Sequence, residues 1–429
     1  MHYRSRALLR LLLLGAAMLP TLDLQAQELT LEQAVSDALS SNPSLAAIDA
    51  RATALAELPD QVGTLPDPSL SLNVVNLPVD GFSFTEEGMT QLQVGITQVL
   101  PYPGKLALRT RAADNEAQAV RSEAAERRQQ LIRDVKTVWW NLFYLDRALE
   151  VITNNQTLLG EVVSVAETLY EVGRGPQQDI LLAQLELSKL RESTIRTENM
   201  RENEGSRLNA LMDRPTTEPI YLPSEVDEKL PAIVSTELLQ RQAETSRSSL
   251  TAQQGRISAA RNRVDLAKKN YAPDFKVAAV YGVRNGTNPD SSSRTDFTSV
   301  MFSMNLPIHT TRRQERAVDQ RNAEWMQQKY ELHDQHNRVA AEVRRASTDY
   351  HRSTEQVRLF QQEILPQARQ TVAAMLAAYQ VGKADFLSMV RSQTILFDHE
   401  TQYWKALCAT NQALARLIFA VGAKENVYE

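Results

Sequence analysis

Two short stretches determine the architecture: YEVGR at residues 170–174 and YQVGK at residues 379–383. The glycine of each stretch suits the left-handed position after a helix C-terminus, and a following aspartate, Asp179 or Asp385, suits the N-cap of a returning helix. Each stretch stands between a long heptad-patterned segment and a shorter apolar segment. The pattern predicts two helical hairpins at equivalent positions in two halves of the chain.

Other landmarks repeat at almost the same distance along the chain. Pro68 recurs as Pro273, an offset of 205 residues, and Asp179 recurs as Asp385, an offset of 206. Offsets this constant predict a duplicated unit, with three extra residues at 175–177 in the first turn. The first predicted repeat is 27–214, with helices at about 31–39 and 43–62, a strand pair at about 68–99 and a long helical hairpin at about 105–213. A linker follows at 215–233. The second predicted repeat is 234–422, with helices at about 235–242 and 248–270, a strand pair at about 274–306 and a hairpin at about 311–421, and a tail follows at 423–429.

The long helices carry a heptad seam, which favours helices that coil around one another. A continuous helix from Lys105 to Val172 would be about 100 Å long at 1.5 Å per residue. Such a rod is too long to be buried in a globule, so it must project and pack in a bundle. Pro366 interrupts the second rod and predicts a local bend with a stutter in the seam. The first seam consists of Leu131, Val135, Val138, Leu142, Leu145, Leu149 and Ile152.

The strand-like segments alternate with a period of two. Leu70, Leu72 and Val74 interleave with polar residues, as in a barrel wall with lipid outside and water inside; a half-buried hairpin of a soluble protein has the same pattern. The signal-peptide pattern at residues 1–26, which predicts export, and the long rods favour the membrane. Four strands cannot close a membrane barrel, and lipid does not tolerate open edges, so several protomers would have to share one barrel.

The first residues have the pattern of a secretory signal. Arg4 and Arg6 precede an apolar run at 8–14, and a plausible cleavage site lies before Gln27, which predicts a signal peptide at 1–26 and an exported chain. The only cysteine is Cys408, so neither a lipid anchor near the cleavage site nor an intrachain disulfide is expected. A net charge of −5, from 47 basic and 52 acidic residues that are interspersed, argues against a nucleic-acid partner.

Four motifs in order resemble the TolC family of outer membrane factors over nearly the whole mature chain. They are NPSL at 42–45, LPDP at 65–68, QVLPYPGK at 98–105 and the VG turn at 172–173. The resemblance implies a homotrimer with a twelve-stranded outer-membrane β-barrel, a long periplasmic tunnel of helices, and an equatorial belt that includes the linker and the tail. It also implies a periplasmic adaptor and an inner-membrane pump as partners. The stretch PYPGK resembles the branch that serves heavy-metal pumps of the resistance–nodulation–division class.

The same resemblance implies that the two turns form the periplasmic tip, where the adaptor docks. The best-known member of the family narrows its tunnel with acidic residues early in the last long helix. The matching positions here are Ser388 and Arg391, so an acidic constriction is not expected. The docking residues implied at the tip are Gly173, Arg174, Asp179, Gly382, Lys383 and Asp385.

No enzyme constellation is present in the sequence. There is no Gly-rich phosphate loop and no cysteine pair. His333 and His336 are spaced to chelate a metal on one helix face, but no third ligand can be argued, so a solvated or seam-facing pair is the expected arrangement. We therefore predict no catalytic residue, no cofactor and no metal site.

Two hypotheses of different classes follow. The first is a trimeric outer-membrane channel that passively receives substrate from a pump through an adaptor. Heavy-metal cations are its expected cargo, with organic-drug efflux and type I secretion as alternatives. The second is a secreted coiled-coil scaffold whose strands form a small soluble sheet.

Overall fold

The computed structural model describes residues 28–422 and 427–428. The predicted signal peptide at 1–26 and most of the predicted tail lie outside these residues. Within the described part of the chain, no helix is long and apolar enough to cross a membrane.

The first half of the chain contains five helices and a strand pair. The predicted single helix at 43–62 is wrong: it is broken at Glu57 into two helices. Pro59 explains the break, because it has no N–H to donate to the Leu55 carbonyl four residues earlier, which accepts from the Glu57 N–H instead. The elements are α1 (Leu31–Ser41), α2 (Pro43–Ala56), α3 (Leu58–Gly63), β1 (Ser69–Val75), β2 (Gln91–Leu100), α4 (Lys105–Glu171) and α5 (Gln177–Leu211).

The second half follows the same order, and its second helix is unbroken. Ser235 caps the first helix by accepting from the Leu238 N–H, as Thr30 caps α1 through Gln33. The elements are α6 (Thr236–Ser246), α7 (Ser248–Lys269), β3 (Phe275–Val283), β4 (Phe297–Met304), α8 (Gln314–Leu359), α9 (Leu365–Gln380) and α10 (Phe386–Val421).

A π-helical turn, Phe360–Ile364, separates α8 from α9. Pro366 has no N–H to donate to the carbonyl four residues before it. The hydrogen bonding therefore shifts by one residue, and the Leu365 N–H donates to the Phe360 carbonyl five residues earlier. The irregularity predicted at Pro366 is therefore present, as a widened turn just before the proline.

The four strands form one antiparallel sheet in the order β1-β2-β3-β4. In the register of the sheet, Leu72 of β1 lies opposite Val94 of β2, and Val94 lies opposite Tyr281 of β3. One face of the sheet is apolar and uncovered: Leu70 is 73% exposed and Val300 is 76% exposed. Among the described residues, the outer edges of β1 and β4 have no strand partner.

The core is divided into clusters along the helices. The largest surrounds Trp139, whose indole N–H donates to the Leu29 carbonyl at 3.0 Å, and Phe143 stacks on Trp139 at 5.6 Å between ring centroids. Beside this cluster, the irregular segment between α5 and α6 is fastened to the helices: Arg201 donates to the Ile220 carbonyl at 2.9 Å. Ile233 then forms a β-bridge to Tyr428, so the linker and the tail meet.

Candidate functional site

The candidate site is the end of the two helical hairpins, where α4 turns into α5 and α9 turns into α10. In the first turn, Gly173 has φ +71° and its N–H donates to the Tyr170 carbonyl at 2.9 Å. Arg174 N–H closes the turn on the Leu169 carbonyl at 2.8 Å. Only glycine adopts this left-handed backbone without strain, so the C-terminal cap predicted from the sequence is confirmed here.

The second turn has the same backbone and an additional side-chain cap. Gly382 has φ +73°, and its N–H donates to the Tyr379 carbonyl at 3.0 Å. The Asp385 carboxylate accepts from the Ser388 N–H at 2.8 Å and from the Ser388 hydroxyl at 2.7 Å. These hydrogen bonds lower the pKa of Asp385. Asp385 is therefore the N-cap of α10, as predicted.

Asp179 is not an N-cap, and that prediction was wrong. The N-cap of α5 is Pro176, which offers no side-chain hydrogen bond, and Asp179 is the third residue of the helix. The cause is the longer first turn: Pro176 fits the start of a helix, because its missing N–H has no intrahelical partner there, and α5 begins directly after it. Pro176 is the sequence feature from which this start of α5 could have been predicted.

Asp179 instead faces the other turn. Partial burial raises the pKa of the Asp179 carboxyl, and the negative charge of Asp385 raises it further. The two turns lie side by side, because Ala183 of α5 shares one buried apolar cluster with Tyr379 and Phe386 of the second hairpin. An apolar cluster fixes them in place, in which Tyr379 and Phe386 make an edge-to-face contact at 5.7 Å.

The outer surface of the two turns combines apolar and basic side chains. Val172 is 63% exposed, Val381 68% and Leu387 62%. Arg174 and Lys383 lie next to them and are exposed. Because large apolar side chains cluster at an exposed end here, the surface has the composition of a protein-binding patch.

Ser388 and Arg391 lie a turn further along α10. Ser388 is occupied by its contacts with Asp385, whereas Arg391 is exposed and makes no ion pair with any described residue. Both line a shallow groove of about 240 Å³ between α9 and α10, together with Thr371, Met375 and Ile395. Within the described chain, no acidic side chain lines this groove.

The contacts that join the sheet to the long helices are not predicted from the sequence. Lys105 is 3% exposed, and its Nζ lies 2.8 Å from Asp274 Oδ1, which also accepts from the Tyr102 N–H at 2.7 Å. Partial burial raises the pKa of Asp274, but the hydrogen bonds from Lys105 and Tyr102 and the charges of Lys105 and Arg109 outweigh it, and the pKa lies below its ordinary value. The PYPGK stretch of the first repeat is thus bonded to Asp274, directly before β3. No local sequence pattern reveals this contact, because the two positions are far apart along the chain.

No metal centre emerges among the described residues. None of their His, Cys, Asp and Glu side chains form a group of three or more that is placed to hold an ion. His333 is exposed and His336 is half-buried on α8. Cys408 is buried, and burial raises the pKa of its thiol, so it is not a reactive thiolate at neutral pH.

Comparison with known proteins places the chain in a family. It is 22% identical over 406 residues to the cobalt-zinc-cadmium resistance protein CzcC of Cupriavidus metallidurans, covering 93% of this chain and 91% of that protein. Its fold matches that of the outer-membrane channel OprN, with a TM-score of 0.77, 18% identity and coverage of 92% and 90%. It matches equally the outer membrane protein VceC of Vibrio cholerae, with a TM-score of 0.77, 18% identity and coverage of 92% and 96%.

The sequence model described as "Outer membrane efflux protein" matches two segments, residues 34–213 and 239–423, which together make up most of the chain. Each segment contains one copy of the repeated order of helices, strand pair and helical hairpin. The resemblance to the TolC family is confirmed: this protein belongs to the outer membrane efflux protein family.

Proposed function

We propose that this protein is one subunit of a trimeric outer-membrane channel. The observation that carries the proposal is the four-stranded sheet, which has an exposed apolar face and two unpaired edges in the described chain. In hydrocarbon every backbone polar group must be paired, so each edge requires a neighbouring copy. Three copies would supply twelve strands and close the barrel.

The helices of each repeat would form the duct below the barrel. α4 alone has 67 residues, about 100 Å at 1.5 Å per residue. Apolar side chains along α5 stay uncovered in one protomer: Leu181 is 58% exposed, Leu185 52% and Ile195 69%. We propose that the neighbouring subunit covers them. In this arrangement the repeats at 27–214 and 234–422 are the two units of the wall, and the linker at 215–233 belongs to an equatorial belt.

We further propose that the exposed end of the hairpins receives a periplasmic adaptor protein, which links the duct to an inner-membrane pump. The apolar and basic surface supports this role, because apolar side chains supply binding area and basic ones add charge complementarity. Ser388 and Arg391 would face the narrowest part of the duct. The proposed docking residues are Gly173, Arg174, Asp179, Gly382, Lys383 and Asp385.

For cargo we propose heavy-metal cations, moved by a pump of the resistance–nodulation–division class. The support is the similarity to CzcC, whose name assigns it to cobalt, zinc and cadmium resistance, over 93% of this chain. Organic drugs and secreted proteins are the competing cargoes. A passive duct needs no catalytic group, and we propose none.

Deletion of the gene tests the cargo, and fractionation tests the class of protein. The deletion strain should become sensitive to cobalt, zinc or cadmium salts, and the wild-type gene should restore growth. Sensitivity to drugs alone would contradict the metal assignment but leave the channel intact. The protein itself should require detergent for extraction from outer membranes and should then run as a trimer. Recovery as a detergent-free periplasmic monomer would contradict the channel and favour a scaffold.

A further inference from the structure

A cavity of about 190 Å³ lies between the two helical hairpins, towards the end that carries their turns. α5 and α10 both pack on α4 but scarcely touch each other, and the cavity fills the gap between them. Its lining residues are Asn155 and Leu159 of α4, Glu186, Lys189, Leu190 and Ser193 of α5, and Val390, Gln393, Thr394, Phe397 and Asp398 of α10.

The walls of this cavity are mainly apolar. Leu159 is 5% exposed and Val390 is 7% exposed, and both belong to the cluster that joins the two hairpins. Leu190 and Phe397 complete the apolar lining. A cavity of about 150 Å³ with such walls accommodates benzene, so this one has room for a single ring with a short substituent.

One polar side chain in the wall has an unmet hydrogen bond. Gln393 is 6% exposed, and its Nε2 is buried without a partner. A buried amide N–H without an acceptor is unfavourable, and no group of the described protein accepts from this one. The group therefore favours an occupant that carries an acceptor.

The other polar groups around the cavity are satisfied by neighbours or by solvent. Asp398 is exposed and open to water. Glu186 and Lys189 neutralise each other at the rim, so no net charge from this pair faces the cavity. The remaining bonds are Asn155 Nδ2 to the Val151 carbonyl at 2.9 Å, Thr394 Oγ1 to the Val390 carbonyl at 3.1 Å, and Arg196 Nη2 to Ser193 Oγ at 3.4 Å.

We propose that this cavity binds a small, neutral, largely apolar molecule with one carbonyl-type acceptor, which the Gln393 amide recognises. The lining offers an ion no buried, unpaired counter-charge, because Glu186 is paired with Lys189 and Asp398 is exposed to solvent. The bound molecule touches the α4–α5 hairpin and α10 at once. It therefore stabilises the arrangement of the two hairpins in this structure relative to any arrangement that opens the gap.

The test compares two ligands of the same shape, acetophenone and α-methylstyrene, in which a CH₂ group replaces the carbonyl oxygen. Each is titrated into the full-length, detergent-solubilised protein and followed by saturation-transfer NMR. Acetophenone should bind saturably and more tightly than α-methylstyrene. Gln393→Leu should weaken acetophenone by about fivefold or more, the effect of losing one hydrogen bond, and leave α-methylstyrene unweakened.

Two further variants control the experiment. Gln402→Leu makes the same change at an exposed position of α10 outside the cavity and should leave both ligands unaffected. Ser193→Phe places a ring in the cavity from the α5 side and should abolish binding of both. Absence of saturable acetophenone binding to the wild-type protein would overturn the proposal and leave water as the partner of Gln393. Equal affinity of the two ligands, or equal weakening by Gln402→Leu, would overturn it as well.

Discussion

At the scale of single residues, the contact between Lys105 and Asp274 joins the sheet to the long helices. The Lys105 ammonium is almost fully buried and has Asp274 as its ion-pair partner at 2.8 Å. Asp274→Asn would leave that charge without a counter-ion. Because Asp274 is partly exposed, we expect a loss of about 2 kcal/mol, below the range for a fully buried pair.

Thermal unfolding in detergent, followed by circular dichroism, measures this loss as a lower midpoint. Asp265→Asn is the matched control, because Asp265 pairs with Lys268 on an exposed surface and such pairs contribute little. The lowered pKa of Asp274 gives the pH dependence. Its stabilisation should be complete above the ordinary aspartate pKa, about 3.9, and should be lost as the pH falls through the lower folded-state pKa. Equal midpoints for the two variants would contradict the role of this pair at the junction.

The two tip aspartates have different tasks, although they occupy matching positions in the sequence. Asp385→Ala removes the cap of α10, so amide exchange at its first turn should accelerate by about fivefold. Asp179→Ala removes no cap and should leave the first turn of α5 as protected as before. Hydrogen exchange with mass spectrometry on the two tip peptides measures both. The Asp385 effect should fade as the pH falls through its lowered pKa, since the protonated carboxyl is a weaker acceptor. If Asp179→Ala accelerated amide exchange at the first turn of α5 as much as Asp385→Ala does for α10, Asp179 would be a helix cap as well.

Arg391 is exposed and makes no ion pair with the described residues, so its charge is free to act on passing ions. If it faces the constriction, Arg391→Asp replaces a positive charge by a negative one and should change the single-channel conductance and its block by cations. Arg391→Lys keeps the charge and serves as the control. An unchanged conductance and block in Arg391→Asp would place the residue away from the constriction.

At the scale of elements, the sheet separates its two faces clearly. Val300 lies in the middle of β4 and is 76% exposed on the apolar face, whereas its neighbour Ser299 points to the opposite face, across from Val280. Val300→Lys should reduce the folded protein recovered from outer membranes, because lysine at the bilayer midplane is unfavourable by about 2–4 kcal/mol. Ser299→Lys should be tolerated. Immunoblots of membrane fractions measure the yield, and similar recovery of both variants would mean that lipid does not contact the apolar face.

Most of the elements could be predicted from the sequence, because they depend on local chemistry and periodicity. Heptad spacing predicted α4, period-two alternation predicted β1, and Pro366 predicted the interruption after α8. The break at Glu57 was missed, although Pro59 signals it. The Lys105–Asp274 pair and the Gln393 cavity were beyond prediction, because side chains distant in sequence meet there only after the helices and the sheet have packed.

At the scale of the whole molecule, the single chain leaves several apolar surfaces exposed. The outer face of the sheet, its two edges and the apolar residues of α5 each require a partner, and we propose that lipid and two further copies provide it. In such a trimer, symmetry would place six hairpin turns around the inner end of the duct, three with the longer turn that ends at Pro176 and three with the Asp385 cap. An adaptor would therefore meet two kinds of docking surface in alternation.

Conductance in planar lipid bilayers decides whether copies of this chain close into a channel. Purified detergent-solubilised protein is added to one side of the bilayer, and current is recorded at fixed voltage. We expect discrete, uniform conductance steps, with Val300→Lys protein giving few insertions and Ser299→Lys protein giving as many as the wild type. Folded wild-type protein that produces no steps, and that runs as a monomer in detergent, would show that the chain does not form a channel.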